Sequence, residues 1–347
     1  MFVPPKLVRR VVLGPLVLLV ELAIVVISPL AALVAVIASP LTGGAWRPLR
    51  VVAIAVAFLA RHLAAMLGCL GLWVASGFGV RAGSPRMQDA HAALLRWFVS
   101  GVNRWITRVA RVDLRVSESD DAEAALAAGE RPLIVLSRHA GEGDSLLVLH
   151  ELLCRYRRRT RIVLHEGLQL DPVLDVLGHR LAWRFVDPRG GDTEVEIAAM
   201  ARDLPGAGAV LIFPEGGNFS EERRRRGIER LQSRGFAEEA AWARSMENVS
   251  APRPGGALAA IDAVPGADVV FVAHDGIPAG IGELWRMLLA RTSVELRMWA
   301  VAADDVPDDH EEQIDWLFGE WCTLDRWLGE RDSDAPRDDR HRPAAAG

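Results

Sequence analysis

Residues 132–154 read PLIVLSRHAGEGDSLLVLHELLC, and the order of patterns in this stretch decides the fold class. An apolar run of strand length ends at Ser137, and a polar bend that contains two glycines follows it. A second apolar run, which begins at Asp144, has the spacing of an amphipathic helix. A strand, a short turn and a helix in this order form the repeating unit of α/β proteins.

The same alternation continues on both sides of this stretch. Short apolar runs predict six further strands, at residues 112–117, 161–166, 181–187, 209–215, 267–274 and 294–301. Helical patterns accompany them at residues 88–110, 192–203, 220–246, 256–263, 279–289 and 310–328. Strands that alternate with helices predict an α/β fold, with a mostly parallel mixed sheet that helices flank. In such sheets, binding sites lie beyond the C-terminal ends of the strands.

Two long apolar stretches precede this pattern. Residues 11–38 contain a single charged residue, Glu21, and as a continuous helix they would run for about 42 Å, longer than the roughly 30 Å hydrocarbon core of a bilayer. Residues 51–80 are also apolar, apart from Arg61 and His62. The run is too long for a cleavable signal peptide and longer than a buried core helix needs to be. The sequence therefore predicts a hydrophobic helical membrane segment.

Basic residues flank both apolar stretches. The positive-inside rule favours the cytoplasmic side for such residues, so each stretch would return to its own side, and Pro29 would permit a bent or re-entrant path. A plain two-span path, which puts Arg47 and Arg50 outside, stays open as the alternative. We expect attachment to the cell membrane, with the following domain on the cytoplasmic face. The flanking residues are Lys6, Arg9, Arg10, Arg47, Arg50, Arg81 and Arg86.

These patterns divide the chain into three parts. Residues 1–80 form the membrane-anchoring segment, residues 81–330 form the folded domain, and residues 331–347, which are charged and rich in Pro and Ala, form a disordered tail. The net charge of −5 is small, and we expect no nucleic-acid partner. Three cysteines without a CxxC spacing argue against a disulfide framework and a zinc site. His165 and His274 each precede an acidic residue, but at no zinc-like spacing.

The polar bend after Ser137 holds a candidate catalytic pair. His139 follows the strand, and Asp144 begins the next helix, where a carboxylate is favoured by the helix dipole and can turn back toward the imidazole. A histidine that a carboxylate holds and polarises can remove a proton from a hydroxyl group. The same His-x4-Asp spacing recurs at His310 and Asp315, but within a helix it places the two side chains about 140° apart. The bland alternative for the first pair is a helix N-cap beside a surface histidine.

A second informative stretch is AVLIFPEGGNFSEERRRR at residues 209–226. A strand ends in Phe-Pro-Glu-Gly, and a polar turn then opens a helix. Glycines let backbone N–H groups approach a ligand, and a turn before a helix N-terminus suits an oxyanion or a phosphate.

Together and in this order, the motifs resemble those of the 1-acylglycerol-3-phosphate acyltransferase family of glycerolipid synthesis. That family carries a His-x4-Asp motif, a Phe-x-Asp/Arg segment, a Phe-Pro-Glu-Gly motif and a later proline-containing motif. The residues after the third motif and the later Pro-Arg segment look most like its long-chain lysophospholipid branch. Here the motifs stand at His139…Asp144, Phe185–Arg189, Phe213–Gly216 and Ala251–Gly256.

The resemblance implies a role for each matching residue. His139 would be the general base on the acceptor hydroxyl, and Asp144 would orient its tautomer. Glu215 and the Gly216 backbone would help to position the acceptor or the oxyanion. Two arginines would bind the acceptor's phosphate, since a guanidinium can pair with it bidentately. These are Arg189 and Arg253.

The implied reaction transfers a fatty acyl group to a lysophospholipid from a thioester of coenzyme A or of an acyl carrier protein. It needs no metal, no cofactor and no covalent acyl-enzyme. Membrane lipids would surround the acceptor. Residues 81–330 would then be the acyltransferase domain.

The sequence also departs from the family pattern. Arg138 stands where an Asn often precedes the motif His, and Gly217 and Asn218 stand where Thr and frequently Arg follow Phe-Pro-Glu-Gly. Loss of that Arg weakens the case for lysophosphatidic acid as the acceptor. A non-catalytic lipid-binding protein and an acyltransferase for a non-glycerophosphate acceptor stay open. A lipid hydrolase is disfavoured because no Gly-x-Ser-x-Gly nucleophile elbow is present.

Overall fold

The computed structural model describes residues 3–141, 143–187, 190, 193–278 and 280–334. Packing divides the chain into two compact units. The first comprises Met1–Asn218 and Arg253–Val306, and the second comprises Phe219–Pro252 and Pro307–Gly347. The N-terminal helices pack within the first unit, and the boundaries at residues 80 and 330 stay predictions.

A seven-stranded mixed sheet forms the centre of the first unit. Its spatial order is β1-β7-β6-β2-β5-β3-β4, and every neighbouring pair is parallel except β6 and β7. All seven predicted strands are present, and the predicted α/β fold with a mostly parallel mixed sheet is confirmed. The strands are β1 (Val112–Glu118), β2 (Leu133–Ser137), β3 (Arg159–His165), β4 (Arg184–Val186), β5 (Gly208–Ile212), β6 (Asp268–Asp275) and β7 (Thr292–Val301).

Helices cover the sheet and account for most of the remaining chain. Every residue of β2 and of β5 is buried, as expected for central strands that have helices on both faces. Short π or 3-10 turns extend several helices, for example at Arg9–Leu13, Ser39–Thr42 and Glu151–Arg155. The helices are α1 (Lys6–Val8), α2 (Gly14–Ala38), α3 (Arg47–Ala75), α4 (Pro85–Ala110), α5 (Asp120–Ala128), α6 (Asp144–His150), α7 (Pro172–Arg180), α8 (Thr193–Ala201), α9 (Glu221–Ser233), α10 (Ala237–Ser245), α11 (Pro254–Ala263), α12 (Ile281–Met287) and α13 (His310–Asp334).

The N-terminal apolar stretches form a pair of helices that pack on each other and on the rest of the first unit. The segments Lys6–Thr42 and Arg47–Ala75 are long and apolar enough to cross a membrane. Helix α3 packs on α2, α4 and α7. Many apolar side chains of α2 are exposed, among them Val26 and Ile37. Such a surface suits a lipid environment better than water.

Buried polar contacts attach these apolar helices to α7. The Arg9 guanidinium lies 2.6 Å from the Asp175 carboxylate, and both side chains are buried. The His62 ring lies 2.8 Å from Glu21 of α2 and 3.1 Å from Asp171, which caps α7. Because polar groups buried in an apolar surrounding are costly without partners, these contacts fix how α2 and α3 lie on the unit.

The second unit consists of α9, α10 and α13. The sequence predicted one helix over 220–246, and this prediction was wrong: the helix breaks at Gly235, whose φ of +84° an α-helix does not allow. Within this unit, the Asp325 carboxylate accepts hydrogen bonds from the backbone N–H groups of Glu247 and Asn248. Helix α13 extends through residues 331–334, and the rest of the predicted disordered tail lies outside the described residues.

Arg158 connects the N-terminal edge of the sheet to the end of α5 and to two neighbouring loops. Its side chain is 1 % exposed, and its guanidinium donates to the backbone carbonyls of Leu126, Arg131 and Gly206 at 2.9 Å each, and also to Ala125. A buried carbonyl that loses its donor costs about 1–3 kcal/mol.

Arg158→Met should therefore lower the free energy of unfolding by about 3 kcal/mol, because it leaves several buried carbonyls without a donor. Denaturant unfolding of the purified protein would measure the change. Arg159→Met is the matched control: Arg159 pairs with Asp89, but both side chains are about 60 % exposed, and such a pair contributes about 0–1 kcal/mol. Equal losses in the two variants would contradict the role assigned to Arg158.

Candidate active site

The parallel pairing of β2 with β5 and β6 places the ends of three strands at one edge of the sheet. Leu136 pairs with Ile212 of β5 and with Phe271 of β6. The bend that contains His139 follows β2, and the Phe-Pro-Glu-Gly turn follows β5. The two sequence motifs, about 70 residues apart along the chain, therefore meet at the C-terminal edge of the sheet, where α/β proteins bind ligands.

His139 and Asp144 form a hydrogen-bonded pair. The distance from His139 Nδ1 to Asp144 Oδ2 is 2.9 Å, with the imidazole 22 % exposed and the carboxylate fully buried. Since an ionised carboxylate only accepts hydrogen bonds, the neutral form of the imidazole carries its proton on Nδ1 and the free lone pair on Nε2. Within the described part of the chain, no group hydrogen-bonds Nε2. The imidazole also packs on Phe213, with ring centroids 4.6 Å apart.

The bend around Asp144 is built to hold a buried negative charge. Its Oδ2 atom also accepts hydrogen bonds from the backbone N–H groups of Ala140, at 2.8 Å, and Gly141, at 3.1 Å. Its Oδ1 atom accepts from the Ser145 N–H at 2.5 Å. Burial would raise the pKa of the Asp144 carboxyl, but the hydrogen bond from His139 and the proximity of His274 lower it below its ordinary value. The carboxyl group is therefore ionised at neutral pH.

Glu215 joins the two motifs directly. Its Oε1 atom accepts a hydrogen bond from the backbone N–H of His139 at 2.9 Å, and the residue is only 4 % exposed. This contact places the Glu215 carboxylate on the backbone that carries the imidazole. Its predicted role in positioning the acceptor stays a prediction.

Gly216 and Arg253 lie against each other. The φ of Gly216 is +71°, and its N–H closes the turn by donating to the Phe213 carbonyl at 3.0 Å. A Cβ atom at Gly216 would stand 2.9 Å from the guanidinium carbon of Arg253, and the Arg253 N–H donates to the Pro214 carbonyl at 2.9 Å. The third and fourth motifs are thus held together, with a guanidinium over the turn.

Arg189, the other predicted phosphate ligand, lies outside the described residues. The segment before it is described: Phe185 belongs to β4 and stacks on the His179 ring at a centroid distance of 5.4 Å. Strand β4 is the edge strand beside β3. Because β4 is parallel to β3 and β3 is parallel to β5, the chain leaves β4 at the C-terminal edge of the sheet, where the other motifs lie.

The structure adds one residue to the site that the sequence analysis considered only as a metal ligand. His274 is fully buried near the end of β6, with its Nε2 atom 3.6 Å from Asp144 Oδ2 and 3.0 Å from the Arg138 carbonyl. Burial is the main cause that lowers the pKa of the His274 imidazole to about 4, while Asp144 opposes this shift. Only the strand order reveals this neighbour, because 135 residues separate it from His139.

The arrangement can accept a proton. An imidazole with an open Nε2 and a carboxylate on Nδ1 can take a proton from a hydroxyl group, and the carboxylate then stabilises the imidazolium. Among the residues that the structure describes, no group of three or more His, Cys, Asp or Glu side chains could hold a metal ion.

Comparison with known proteins found one match to a family model. Residues 113–270 match the family model described as Acyltransferase. The matched segment begins in β1, ends in β6 and contains all the residues of the four motifs. It supports the glycerolipid acyltransferase family that the motifs predicted, and acyltransferase activity in general. No curated protein and no solved structure gave a significant match.

We predict that the buried His274 makes the free energy of unfolding depend on pH. Between its ordinary pKa of 6.5 and about 4, the unfolded chain binds a proton at this residue and the folded chain does not. Stability must therefore fall as the pH falls through this window, by about 3 kcal/mol. His274→Gln removes the titrating group, so denaturant unfolding at pH 7, 6, 5 and 4 should show a shallower loss in the variant. Parallel curves for the two proteins would rule out a buried neutral histidine.

Proposed function

We propose that this chain is a membrane-associated O-acyltransferase that moves a fatty acyl group from a thioester to the hydroxyl group of a lysophospholipid, such as 1-acylglycerol 3-phosphate. The observation that carries the proposal is the 2.9 Å hydrogen bond between His139 and a fully buried Asp144, which leaves Nε2 open. The acyltransferase match over residues 113–270 supports the reaction class.

In the proposed reaction, His139 Nε2 takes the proton of the acceptor hydroxyl while the hydroxyl oxygen attacks the carbonyl carbon of the thioester. A new C–O bond forms, the C–S bond breaks, and the imidazolium gives its proton to the departing thiolate. Asp144 keeps Nδ1 protonated and stabilises the imidazolium while it exists. The ionised carboxylate and its backbone donors are in place before substrate binds, so little reorganisation is needed.

Arg253 is the proposed contact for the acceptor's phosphate. Its guanidinium stands over Gly216, in the turn that directly follows the Glu215–His139 contact. A guanidinium binds phosphate through paired, charge-assisted hydrogen bonds. Arg189 is proposed as a second contact. The donor would be acyl-coenzyme A or an acylated carrier protein.

Two apolar helices support a membrane location, where an insoluble acceptor and product would reside. We propose a re-entrant path for them, because polar contacts tie both ends of the helix pair to the same unit. At the start of the pair, Arg9 binds Asp175. Beyond the turn, Arg50 at the start of α3 donates to the Val109 carbonyl at 2.7 Å and to the Leu288 carbonyl. A spanning pair would place its turn across the bilayer, away from these carbonyls. The domain would then face the cytoplasm, as the flanking basic residues favour.

The enzymatic prediction concerns His139. His139→Ala should reduce acyl transfer by about 10²–10⁴-fold, because no other group would accept the hydroxyl proton. Detergent-purified protein would receive acyl-coenzyme A, or acylated carrier protein, with a panel of lysophosphatidic acid, other lysophospholipids and glycerol 3-phosphate, and mass spectrometry would identify the products. His310→Ala is the matched control, since it removes the histidine of the other His-x4-Asp match.

Acylation of one acceptor that survives His310→Ala and is lost in His139→Ala would support the proposal and name the substrate. Equal activity in wild type and His139→Ala would refute His139 as the base. Lipid binding without turnover on any pair of substrates would favour a non-catalytic lipid-binding protein.

The path prediction concerns the turn between α2 and α3. In a background with Cys69, Cys154 and Cys322 replaced by alanine, single cysteines would be placed in the turn, as Thr42→Cys, and on β1, as Arg115→Cys. A re-entrant path predicts that a membrane-impermeant maleimide labels both variants from the same side of sealed vesicles. Labelling from opposite sides would establish a spanning path.

A further inference from the structure

We propose that His274 is a positioning residue of the acyltransferase site, which holds the His139–Asp144 pair in its reactive orientation through the Arg138 backbone and the Asp144 carboxylate. This inference rests on the proposed function. It adds a residue to the site that lies outside the four motifs and beyond residue 270, where the match to the acyltransferase family ends.

His274 acts on His139 first through the backbone of Arg138. Strand β2 ends at Ser137, so the residues that follow have no ladder of their own to fix their direction. The end of β6 replaces it: the Arg138 N–H donates to the Val272 carbonyl at 3.0 Å, and His274 Nε2 lies 3.0 Å from the Arg138 carbonyl. The Arg138 guanidinium also donates to the His274 carbonyl, at 2.6 Å. Three contacts therefore hold the residue that directly precedes His139.

His274 also lies close to the Asp144 carboxylate. His274 Nε2 lies 3.6 Å from the Oδ2 atom that also accepts the hydrogen bond of His139. A buried, neutral imidazole with its proton on Nε2 presents the positive end of an N–H dipole near this carboxylate. It stabilises the ionised form without adding a full charge. Because burial lowers the pKa of His274 to about 4, no second imidazolium competes with His139 for Asp144 at neutral pH.

A simple packing role does not explain a histidine here. His274 is fully buried, and its Nδ1 atom has no hydrogen-bond partner among the described residues. Burial of an unsatisfied nitrogen is destabilising, and a leucine of similar size would avoid this cost. The N–H group on the other side of the ring is what distinguishes histidine from leucine at this position, and it faces Arg138 and Asp144.

The test compares two substitutions at this position with a matched control. His274→Leu keeps the volume and removes the donor, whereas His274→Gln keeps an N–H donor at a similar distance from the backbone. The control is His91→Leu in α4, because His91 is also a buried histidine that bonds one backbone carbonyl, that of Met87 at 2.5 Å. Turnover, KM for donor and acceptor, and the unfolding midpoint would be measured for each variant.

We expect His274→Leu to lower kcat by about 10- to 100-fold, with each KM within about 3-fold of wild type, because a misplaced base slows chemistry more than it weakens binding. His274→Gln should recover most of this loss. His91→Leu should lower the unfolding midpoint and leave kcat within about 3-fold of wild type. A His274→Leu enzyme with the kcat of the control, or no rescue by glutamine, would overturn the proposal.

A second readout does not depend on turnover. The Nδ1 proton of His139, hydrogen-bonded to Asp144, should give a downfield proton NMR signal that is absent in His139→Ala. We expect this signal in wild type and His274→Gln and expect exchange with water to abolish it in His274→Leu. A signal that persists in His274→Leu, or is missing from wild type, would contradict the positioning role. If no substrate pair is turned over but the signal follows this pattern, the proposed function fails and the positioning role stands.

Discussion

The buried negative charge of Asp144 is the constraint on which the site depends. A carboxylate that is fully out of water must be compensated by donors nearby, and here these are the imidazole of His139 and the backbone N–H groups of Ala140, Gly141 and Ser145. The bend that supplies these donors also aims the imidazole, so the requirement for charge compensation and the requirement for orientation have the same solution. The burial of Asp144 thereby defines the tautomer and the orientation of the His139 imidazole.

The site also requires that segments far apart in the sequence meet, and the sheet brings them together. Because β2 pairs in parallel with β5 and β6, the residues that leave all three strands do so at one edge. The Glu215 carboxylate then reaches the His139 backbone from β5, and the end of β6 holds Arg138 on the other side. The Arg138 guanidinium bonds the carbonyl of His274, which accommodates this long side chain beside the site.

The apolar N-terminal helices also contain buried polar side chains that need partners. Arg9, His62 and Arg50 are buried polar residues in otherwise apolar segments, and each has a partner in the globular part of the first unit: Asp175, Asp171 and the Val109 carbonyl. Polar groups in an apolar surrounding need partners, and these contacts supply them. A few specific contacts thus orient α2 and α3 relative to the rest of the first unit, while many apolar side chains of α2 are exposed.

The sequence by itself determined the seven strands, the mixed α/β class and the pair of long apolar helices, because strand and helix periodicity and hydrophobic length are local properties of the chain. It also indicated that the side chains of His139 and Asp144 could meet, since only a short bend that contains glycines separates the two residues. It did not reveal the break in the 220–246 helix at Gly235, because an isolated glycine is tolerated in a helix as well as at its end. Only the tertiary structure decided that Glu215 bonds the His139 backbone, that Arg253 stands over Gly216 and that His274 lies beside Asp144. These contacts join residues that are tens to more than a hundred positions apart, and strand order, which brings them together, is set by packing of the whole sheet and not by any local pattern.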